Sequence, residues 1–421
     1  MTGMQGRRGV GLLALGAAAV LAACGGGAAQ GTAGAKAPIT IGYIAPLTGV
    51  SAGPGRNEQE GWNLGLRDFG RTVDGHPVVT KFLDSAGDPN TALSDARVLV
   101  TNDNVSLLEG PLLANEIAAV ASYVDPLGIP TDDLSECSAE QLTNYRKYGN
   151  AISSGWTCDQ PDLIAAEYLY NDLHYRHVTT VASDYAFGWE SIGAFITVFE
   201  KLGGKIDKEI WAPITTNDYS SYVSQIPTTT QAVFDVTVGA NSTKFTTAYA
   251  QFGLKNKIPL FGNTTLTDYS VLPSETPAAV LGVRTVAQYC DGIGTPANQK
   301  FANEYFAAYG EYPGYYAEAA YTKARLALTA LRAVHGNVTD RKSLIKALKG
   351  TAIVAPRGPV KLNASTDSPI QNIYVCEVRE VNGHLRNVPI KTYANVQPWG
   401  PLTPSEWEQH FLRDSSARPS A

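Results

Sequence analysis

The sequence predicts an α/β fold made of two doubly wound, Rossmann-like lobes that are joined by hinge crossovers. From residue 39 onward, short β-branched segments alternate with longer amphipathic stretches, a pattern typical of βαβ units and parallel sheets. The chain has 421 residues, of which 44% are hydrophobic and 17% are charged. It can therefore bury a large core, and it is too long for one compact domain.

The first series of elements covers residues 39–130. A helix after the loop 46–56 carries Trp62, Leu66 and Phe69 on one stripe, which indicates a buried helix face. The other predicted elements are strands at 39–44, 78–83 and 105–108 and helices at 92–100 and 116–123.

A second series of similar build follows Trp156. Its predicted elements are helices at 163–173, 191–202 and 243–252, strands at 177–182, 206–211, 232–238 and 258–261, then helices at 301–309, 317–334 and 343–348, and closing strands at 360–362 and 373–378. We assign residues 38–150 plus 287–350 to lobe 1, 151–286 plus 351–400 to lobe 2, and 401–421 to a C-terminal tail that is polar from 415 onward. Such lobes leave a cleft at the carboxyl ends of their strands, where α/β sheets bind ligands.

The N-terminal residues 1–23 are typical of a lipoprotein signal peptide. Arg7 and Arg8 precede an apolar run at 10–20, which is too short to span a bilayer core of roughly 30 Å. Cys24 directly follows Leu-Ala-Ala, the position at which bacteria attach lipid to exported proteins. The pair of arginines leaves both general and twin-arginine export open.

A lipid on Cys24 would hold the protein at the outer face of the cell membrane without a transmembrane helix. Residues 24–37 consist of small and polar residues after the cysteine, so we expect a flexible tether there. The formal net charge of −6 and the absence of a Lys/Arg-rich block exclude nucleic acid as a partner.

Four further cysteines, an even number in an oxidising compartment, predict two disulfides. Cys137 with Cys158 is the local pairing, and Cys290 and Cys376 each lie in or next to a β-like segment, although spacing alone leaves the connectivity open. Neither the cysteines nor the six histidines show a metal-ligand spacing, so we expect no metal and no cofactor.

Four segments, in this order and spacing, resemble one family: residues 39–49, 84–89, 184–188 and 252–260. They are similar to the branched-chain-amino-acid-type, or Leu/Ile/Val-binding-like, substrate-binding proteins of ABC transporters, and the resemblance covers about residues 38–398. It implies a type I periplasmic-binding fold in which a hinge closes two lobes on a small solute. It also implies delivery to permease and ATPase subunits, a monomeric protein and no catalysis.

The resemblance also places ligand contacts in five loops. The matching residues are Leu113, Ala114 and Asn115, then Thr131 and Asp132, Tyr185, Ala240 and Asn241, and Thr264 and Thr265. Trp156 is a further aromatic that we expect to face the cleft, and Ser51 lies in the loop that lines the cleft mouth in the family. We assign Phe187 and the tyrosines of residues 312–316 to packing.

Two departures from the family pattern bear on the ligand. Asp132 stands where small residues are usual, and Thr264 stands where a glutamate would hold an ammonium group. We therefore expect a neutral or cationic solute in preference to an anion. Asp132 has an equally weighted second interpretation, the N-cap of a helix over 134–140.

The sequence thus predicts an extracytoplasmic solute-binding lipoprotein that captures a small polar or amphipathic organic solute, such as an amino acid or amide. A surface sensor that feeds a signalling membrane protein is the alternative. A third interpretation is a hydrolase, because residues 49–53 match G-x-S-x-G around Ser51. Pro54 and Gly55 argue against it, since we expect them to keep a helix from starting at that serine.

Overall fold

The first lobe is organised around a six-stranded sheet. The structure is a computed structural model that describes residues 36–136 and 148–414. The strands of this sheet are β1 (Ile39–Ala45), β2 (Thr72–Val73), β3 (His76–Asp84), β4 (Leu107–Glu109), β5 (Thr131–Glu136) and β6 (Ala151–Thr157). They follow the order β2-β3-β1-β4-β5-β6, with all pairs parallel except β2 with β3.

A nine-stranded sheet organises the second lobe. Its strands are β7 (His177–Ser183), β8 (Lys205–Ala212), β9 (Ala232–Val236), β10 (Leu260–Asn263), β11 (Arg284–Ala287), β12 (Ala352–Ala355), β13 (Gly358–Leu362), β14 (Pro369–Val381) and β15 (His384–Val396). The order is β12-β13-β14-β11-β10-β9-β7-β8, and β15 pairs with β14. Strands β7 to β11 are parallel, and β12 to β15 add antiparallel pairs.

Twelve α-helices in the described ranges cover and connect these sheets. They are α1 (Ala52–Phe69), α2 (Pro89–Thr101), α3 (Ala114–Val124), α4 (Asp159–Glu167), α5 (Ala186–Lys201), α6 (Ser220–Val223), α7 (Ala240–Gln251), α8 (Pro277–Val280), α9 (Pro296–Tyr309), α10 (Tyr315–Ala333), α11 (Arg341–Gly350) and α12 (Pro404–Asp414). In the described part of the chain, none of them combines the length and the apolar character that a membrane span requires.

Both parallel cores reverse their strand order at one point, and α/β sheets generally bind ligands at such a point. In lobe 1 the reversal lies between β1 and β4, and in lobe 2 it lies between β7 and β9. Loops that leave neighbouring strands in opposite directions open a crevice at such a point. The predicted two-lobe, doubly wound α/β fold is therefore confirmed, and each lobe contributes one crevice.

Helices α1 and α10 pack unusually closely in lobe 1. The buried indole of Trp62 donates a hydrogen bond to Thr80 at 2.8 Å on the sheet side of α1. On the other side, a Cβ at Gly61 would collide with the carbonyl of Ala317, and one at Gly65 would lie 2.7 Å from the Cβ of Ala324. The glycines therefore let the two helix backbones approach to a distance that larger residues would prevent.

The C-terminal part of the chain differs from the prediction. Residues 360–362 and 373–378 do not close the chain, because β15 and α12 follow them. Strand β15 carries alternating polar residues on an exposed antiparallel pair, and this pattern lacks the continuous apolar run of a buried parallel strand. Helix α12 lies inside the predicted tail, and residues 415–421 lie outside the described residues.

The structure also corrects the predicted helix over 134–140. Residues Thr131–Glu136 form β5, so Asp132 cannot be the N-cap of that helix, and residues 137–147 are outside the described ranges. Cys290 and Cys376 form a disulfide between the end of β11 and its neighbour β14, with Cα atoms 6.2 Å apart. Cys158 is disulfide-bonded, but Cys137 lies outside the described residues, so its pairing stays a prediction.

Helix α12 provides a test of whether the C-terminus belongs to the folded body. Trp407 is 1% exposed, and its indole donates a hydrogen bond of 2.7 Å to Asp159 on α4. Trp407→Ala should lower the free energy of unfolding by about 3–5 kcal/mol, measured by urea denaturation, because it leaves a large cavity. Glu406→Ala is the control on the same helix, since it removes a solvent-accessible ion pair with Lys201 and the side-chain hydrogen bonds to Thr403 but opens no buried cavity. Equal midpoints for both variants and the wild type would show that α12 adds nothing to the fold.

Candidate functional site

The loops after the switch-point strands of the two lobes meet at the centre of the molecule. They enclose a small cavity whose lining residues are Leu112, Leu113 and Ala114 of lobe 1, Tyr185, Phe187 and Val238 of lobe 2, and Tyr315 and Tyr316 at the start of α10. The largest apolar cluster in the described residues contains six of these residues, and Tyr185 packs against it, so the cluster extends from lobe 2 into lobe 1. The facing surfaces of the lobes are therefore packed against each other.

The walls of this central cavity are apolar and aromatic. The rings of Tyr315 and Tyr316 lie 3.8 Å apart, and those of Tyr185 and Phe187 lie 5.9 Å apart. No lysine or arginine is among the described residues that line the cavity. Burial, and after it the charge of Glu116, raises the pKa of Tyr185, so its hydroxyl stays neutral and can donate a hydrogen bond.

The central cavity has a volume of only about 10 Å³. That is the space of a single water molecule, whereas pockets for organic ligands usually measure about 300–1,000 Å³. A solute can enter only if the lobes separate or the aromatic side chains move.

A larger groove of about 650 Å³ lies beside the central cavity, between helix α7 of lobe 2 and residues 49–54 of lobe 1, which are the loop before α1 and the first turn of α1. Gly239 allows the lobes to touch at its edge: its φ is 57°, and a Cβ there would lie 2.7 Å from the carbonyl oxygen of Val50. Ala240 and Lys244 line the groove, and the ammonium of Lys244 donates to the carbonyl of Thr216 at 3.0 Å. The groove is more polar than the central cavity and opens to solvent.

A buried cation lies at the carboxyl edge of the lobe 1 sheet. Lys323 of α10 is fully buried, and its Nζ lies 3.1 Å from Glu109 Oε2 at the end of β4. The same ammonium donates to the carbonyl oxygen of Asp132 and lies 4.0 Å from its carboxylate. Asp132 in turn accepts hydrogen bonds from the backbone N–H of Ser154 at 2.9 Å and from its hydroxyl at 2.5 Å.

Carboxyl groups outnumber the cation in this cluster. Burial raises the pKa of Glu58 and of Glu109 well above the usual range of a carboxyl group, and Lys323 only partly offsets it. Burial lowers the pKa of Lys323, but the carboxylates of Asp132, Glu109 and Glu58 keep it above its ordinary value. Lys323 is therefore charged, and its charge offsets part of the cost of burying these acids away from water.

A second buried ion pair lies where the chain crosses between the lobes. Arg357, between β12 and β13, contacts Glu318 of α10 at 2.6 Å, and both side chains are fully buried. The same guanidinium donates to the carbonyl oxygen of Ser154 on β6 at 2.7 Å. Because Ser154 also binds Asp132, the two buried clusters form one hydrogen-bonded network.

The structure brings together only part of the predicted contact set. Leu113, Ala114 and Tyr185 line the central cavity, and Ala240 lines the neighbouring groove. Asn115 points to solvent from the first turn of α3. Trp156 is in β6, and its side chain lies outside what the structure describes.

The other predicted contacts are buried and bonded within the protein. Thr131 donates to the carbonyl of Ile129 at 3.3 Å, and Asn241 donates to the carbonyl of Ile214 at 2.8 Å. Thr264 donates to Gln288 at 2.8 Å, and Thr265 donates to the carbonyl of Thr237 at 2.5 Å. Asp132 has no exposed surface and would have to leave Ser154 to reach a solute.

Ser51 occupies the N-cap position of α1 and is 1% exposed. The expectation that Pro54 and Gly55 prevent a helix here is wrong, because the first turn of a helix tolerates proline, whose missing N–H would be unpaired there anyway. The buried Ser51 hydroxyl makes no hydrogen bond within the described residues.

The sequence analysis assigns Phe187, Tyr315 and Tyr316 to packing, yet all three line the central cavity. Lys323 was not noted at all, because one lysine in an amphipathic helix gives no sign of burial. The sequence of the helix does indicate that Lys323 is buried, because small and apolar residues surround it on all sides.

A family profile described as "Periplasmic binding protein" matches residues 38–384, most of the chain. The chain belongs to the periplasmic binding protein family. This binding protein is of the branched-chain, type I kind, and the family works as extracytoplasmic, solute-binding components of ABC transporters together with permease and ATPase subunits.

Individual relatives agree with that assignment. A curated relative, Leu/Ile/Val-binding protein homolog 6 of Brucella melitensis, is 28% identical over 362 residues, which cover 84% of this chain and 91% of the relative. An ABC transporter substrate-binding protein from Sphaerobacter thermophilus is 30% identical, with a TM-score of 0.80 over 85% of this chain and 98% of its own. A solute-binding protein from Rhodopseudomonas palustris BisB5, in complex with 3,4-dihydroxybenzoic acid, is 26% identical, with a TM-score of 0.81 over 86% and 98%.

The buried cation of this binding protein can be tested against a surface lysine. Lys323→Met should lower the free energy of unfolding by about 3–5 kcal/mol, because it leaves Glu109 and its neighbours buried without a counter-charge. Adding Glu109→Gln should recover part of that loss. Denaturant titration of the single and double variants measures both effects.

Lys300→Met is the matched control for that experiment. Lys300 also contacts two carboxylates, Asp68 at 3.0 Å and Glu304 at 2.6 Å, but its side chain is 58% exposed. Its loss should change stability little. If Lys300→Met and Lys323→Met were equally costly, burial would not be the source of the effect.

Proposed function

We propose that this protein is the solute-binding lipoprotein of an ABC importer and that its two lobes close on a small amphipathic organic solute. The observation that carries the proposal is the central cavity, to which both lobes contribute. Leu112, Leu113 and Ala114 come from lobe 1, and Tyr185 and Phe187 come from lobe 2. A solute in that position would touch both lobes at once and would favour the closed arrangement by its differential affinity.

The walls of the cavity favour a solute with a ring or a compact hydrocarbon part. Aromatic rings supply large apolar contact areas, and the tyrosine hydroxyls supply hydrogen bonds at the edges. The relative from Rhodopseudomonas palustris, in complex with 3,4-dihydroxybenzoic acid, supports a ring-containing solute. The branched-chain name of the curated relatives supports a compact aliphatic one.

The charges around the cavity favour a neutral or cationic polar group on that solute. The cavity lining contains no basic residue within the described ranges. Burial is the main cause that raises the pKa of Tyr185 and of Tyr316. The charge of Glu116 raises the pKa of Tyr185 further, and the charge of Asp268 raises that of Tyr316. A carboxylate in the cavity would meet these acids without a guanidinium or ammonium partner. We therefore expect an amide, alcohol or amine in preference to the free acid.

The proposal assigns no catalysis to Ser51, in line with the family assignment. The lipid anchor at Cys24 and the delivery of solute to a permease remain part of the proposal. They rest on the Leu-Ala-Ala-Cys sequence at residues 21–24 and on the family assignment.

A ligand screen tests the proposed solute class. At 100 times its dissociation constant a ligand adds about 2.7 kcal/mol to stability, so thermal shift detects it readily. We expect 4-hydroxybenzamide to raise the melting temperature more than 4-hydroxybenzoate and more than leucine. A larger shift from the benzoate or from leucine would contradict the charge argument.

The cavity assignment is tested with the best compound of that screen. Tyr185→Ala should weaken its binding about ten-fold or more in isothermal titration calorimetry, which corresponds to about 1.4 kcal/mol. Tyr123→Ala is the control, because Tyr123 lies at the opposite end of α3 from the cavity. Equal affinities for the two variants would place the solute elsewhere.

The anchor is tested by Cys24→Ala in the native host. The variant should lose its lipid and move from the membrane fraction to the soluble or signal-uncleaved fraction, because the thiol that carries the lipid is gone. Cys24→Ser serves as an independent variant with the same expected result. Unchanged fractionation, together with an N-terminal peptide mass that shows no lipid in the wild type, would refute the assignment.

A further inference from the structure

A loop of lobe 2 reaches across to the first turn of the long helix in lobe 1. Asp268, which follows β10, is 5% exposed. One of its carboxylate oxygens accepts a hydrogen bond from the backbone N–H of Tyr315 at 2.6 Å, and the other accepts one from the N–H of Ser270 at 2.8 Å. The carboxylate therefore links the start of α10 to the body of the opposite lobe.

Helix α10 has no cap of its own for this N–H group. Its N-cap residue is Gly314, which has no side chain to accept a hydrogen bond. The first N–H groups of a helix lack intrahelical partners and carry the positive end of the helix dipole, so a carboxylate is a favourable acceptor there. A Cβ at position 314 would collide with the Asp268 carboxylate, so glycine leaves the space in which the other lobe supplies the cap.

The two partners belong to different lobes by their packing. Helix α10 lies along α1 and holds Lys323 against the lobe 1 sheet. Tyr269 and Leu272, which follow Asp268 in the same loop, are part of the apolar cluster built on β9, β10 and α7. The hydrogen bond from Tyr315 to Asp268 therefore crosses the cleft.

A second contact crosses the cleft beside the first. The ring of Tyr312, just before α10, lies 3.4 Å from the guanidinium carbon of Arg386 on β15. Arg386 is held by an ion pair with Asp291 and by a further bond to its backbone, and Tyr269 packs edge-on against Tyr312 at 5.7 Å. Tyr312, in the loop before α10, is therefore packed between Arg386 and Tyr269 of lobe 2.

We propose that Asp268 is an interlobe latch that holds α10 in the closed arrangement and sets the fraction of closed protein before solute binds. The latch adjoins the solute cavity, because Tyr315 donates the hydrogen bond and its side chain lines the cavity. The effect of the latch on the affinity for solute rests on the proposed function. When only a fraction of the protein is competent to bind, the apparent dissociation constant rises in inverse proportion to that fraction.

The latch is tested on the solute-free mature protein, so no ligand has to be known. Asp268→Ala removes the acceptor. We expect a larger radius of gyration by small-angle X-ray scattering and about ten-fold faster amide hydrogen exchange in the peptide that contains Tyr315. Asp268→Asn keeps an acceptor oxygen but loses the charge, so it should give a smaller change in the same direction.

Asp88→Ala is the matched control. Asp88 also caps a helix, accepting the N–H of Thr91 at 2.8 Å, but both groups belong to α2 and its N-cap in lobe 1. This variant should increase exchange only at the start of α2 and should leave the radius of gyration unchanged. The comparison separates the loss of any helix cap from the loss of one that joins the lobes.

Folding of each variant is verified by circular dichroism. If folded Asp268→Ala matches the wild type in both radius and Tyr315 exchange, the latch is overturned. If Asp268→Ala does not fold, Asp268→Asn decides, and an unchanged radius and exchange for it overturn the latch in the same way. Failure of the ligand screen would overturn the proposed solute class and would leave these solute-free measurements standing.

Discussion

The buried ammonium of Lys323 holds the cleft side of lobe 1 in place. It joins α10 to the ends of β4 and β5 through Glu109 and Asp132, in a place without water to screen any of the charges. A cation and acids in such surroundings are stable only as a set, since removing one partner leaves the others unpaired. The position of α10 follows from this contact, and so do the wall that Tyr315 and Tyr316 give to the cavity and the N–H that meets Asp268.

Much of the fold could be predicted because its buried parallel strands are continuous apolar runs. Strand β1 has the predicted type and position, and the helix that carries Trp62 has the predicted type but begins at Ala52, inside the predicted loop at 46–56. Strand β6 was missed since its residues include Ser153 and Ser154, and Ser154 is buried only because Asp132 and Arg357 bond to it. Arg357 lies about two hundred residues away along the chain, beyond the reach of any local pattern.

For the candidate site, the sequence predicts which loops are involved but not which side chains within them face the cavity. The family resemblance points to the loops after β4 and β7, and Leu113 and Tyr185 of these loops line the central cavity, while their contact with a solute stays a prediction. Residue type was a poor guide within the loops, because polar side chains such as Thr265 and Asn241 satisfy backbone groups of the protein itself. The aromatic residues that face the cavity follow a glycine at the start of a helix, a position that sequence analysis assigned to packing.

The close contact between α1 and α10 makes the two helices one rigid unit. Gly61 and Gly65 bring their backbones together, and at the opposite end Arg332 of α10 donates to the carbonyl of Phe69, the last residue of α1. Helix α10 has 19 residues and is therefore about 28 Å long. Because α1 is held against it along this length, a tilt of the first turn of α10 would displace the far end of α10 together with α1.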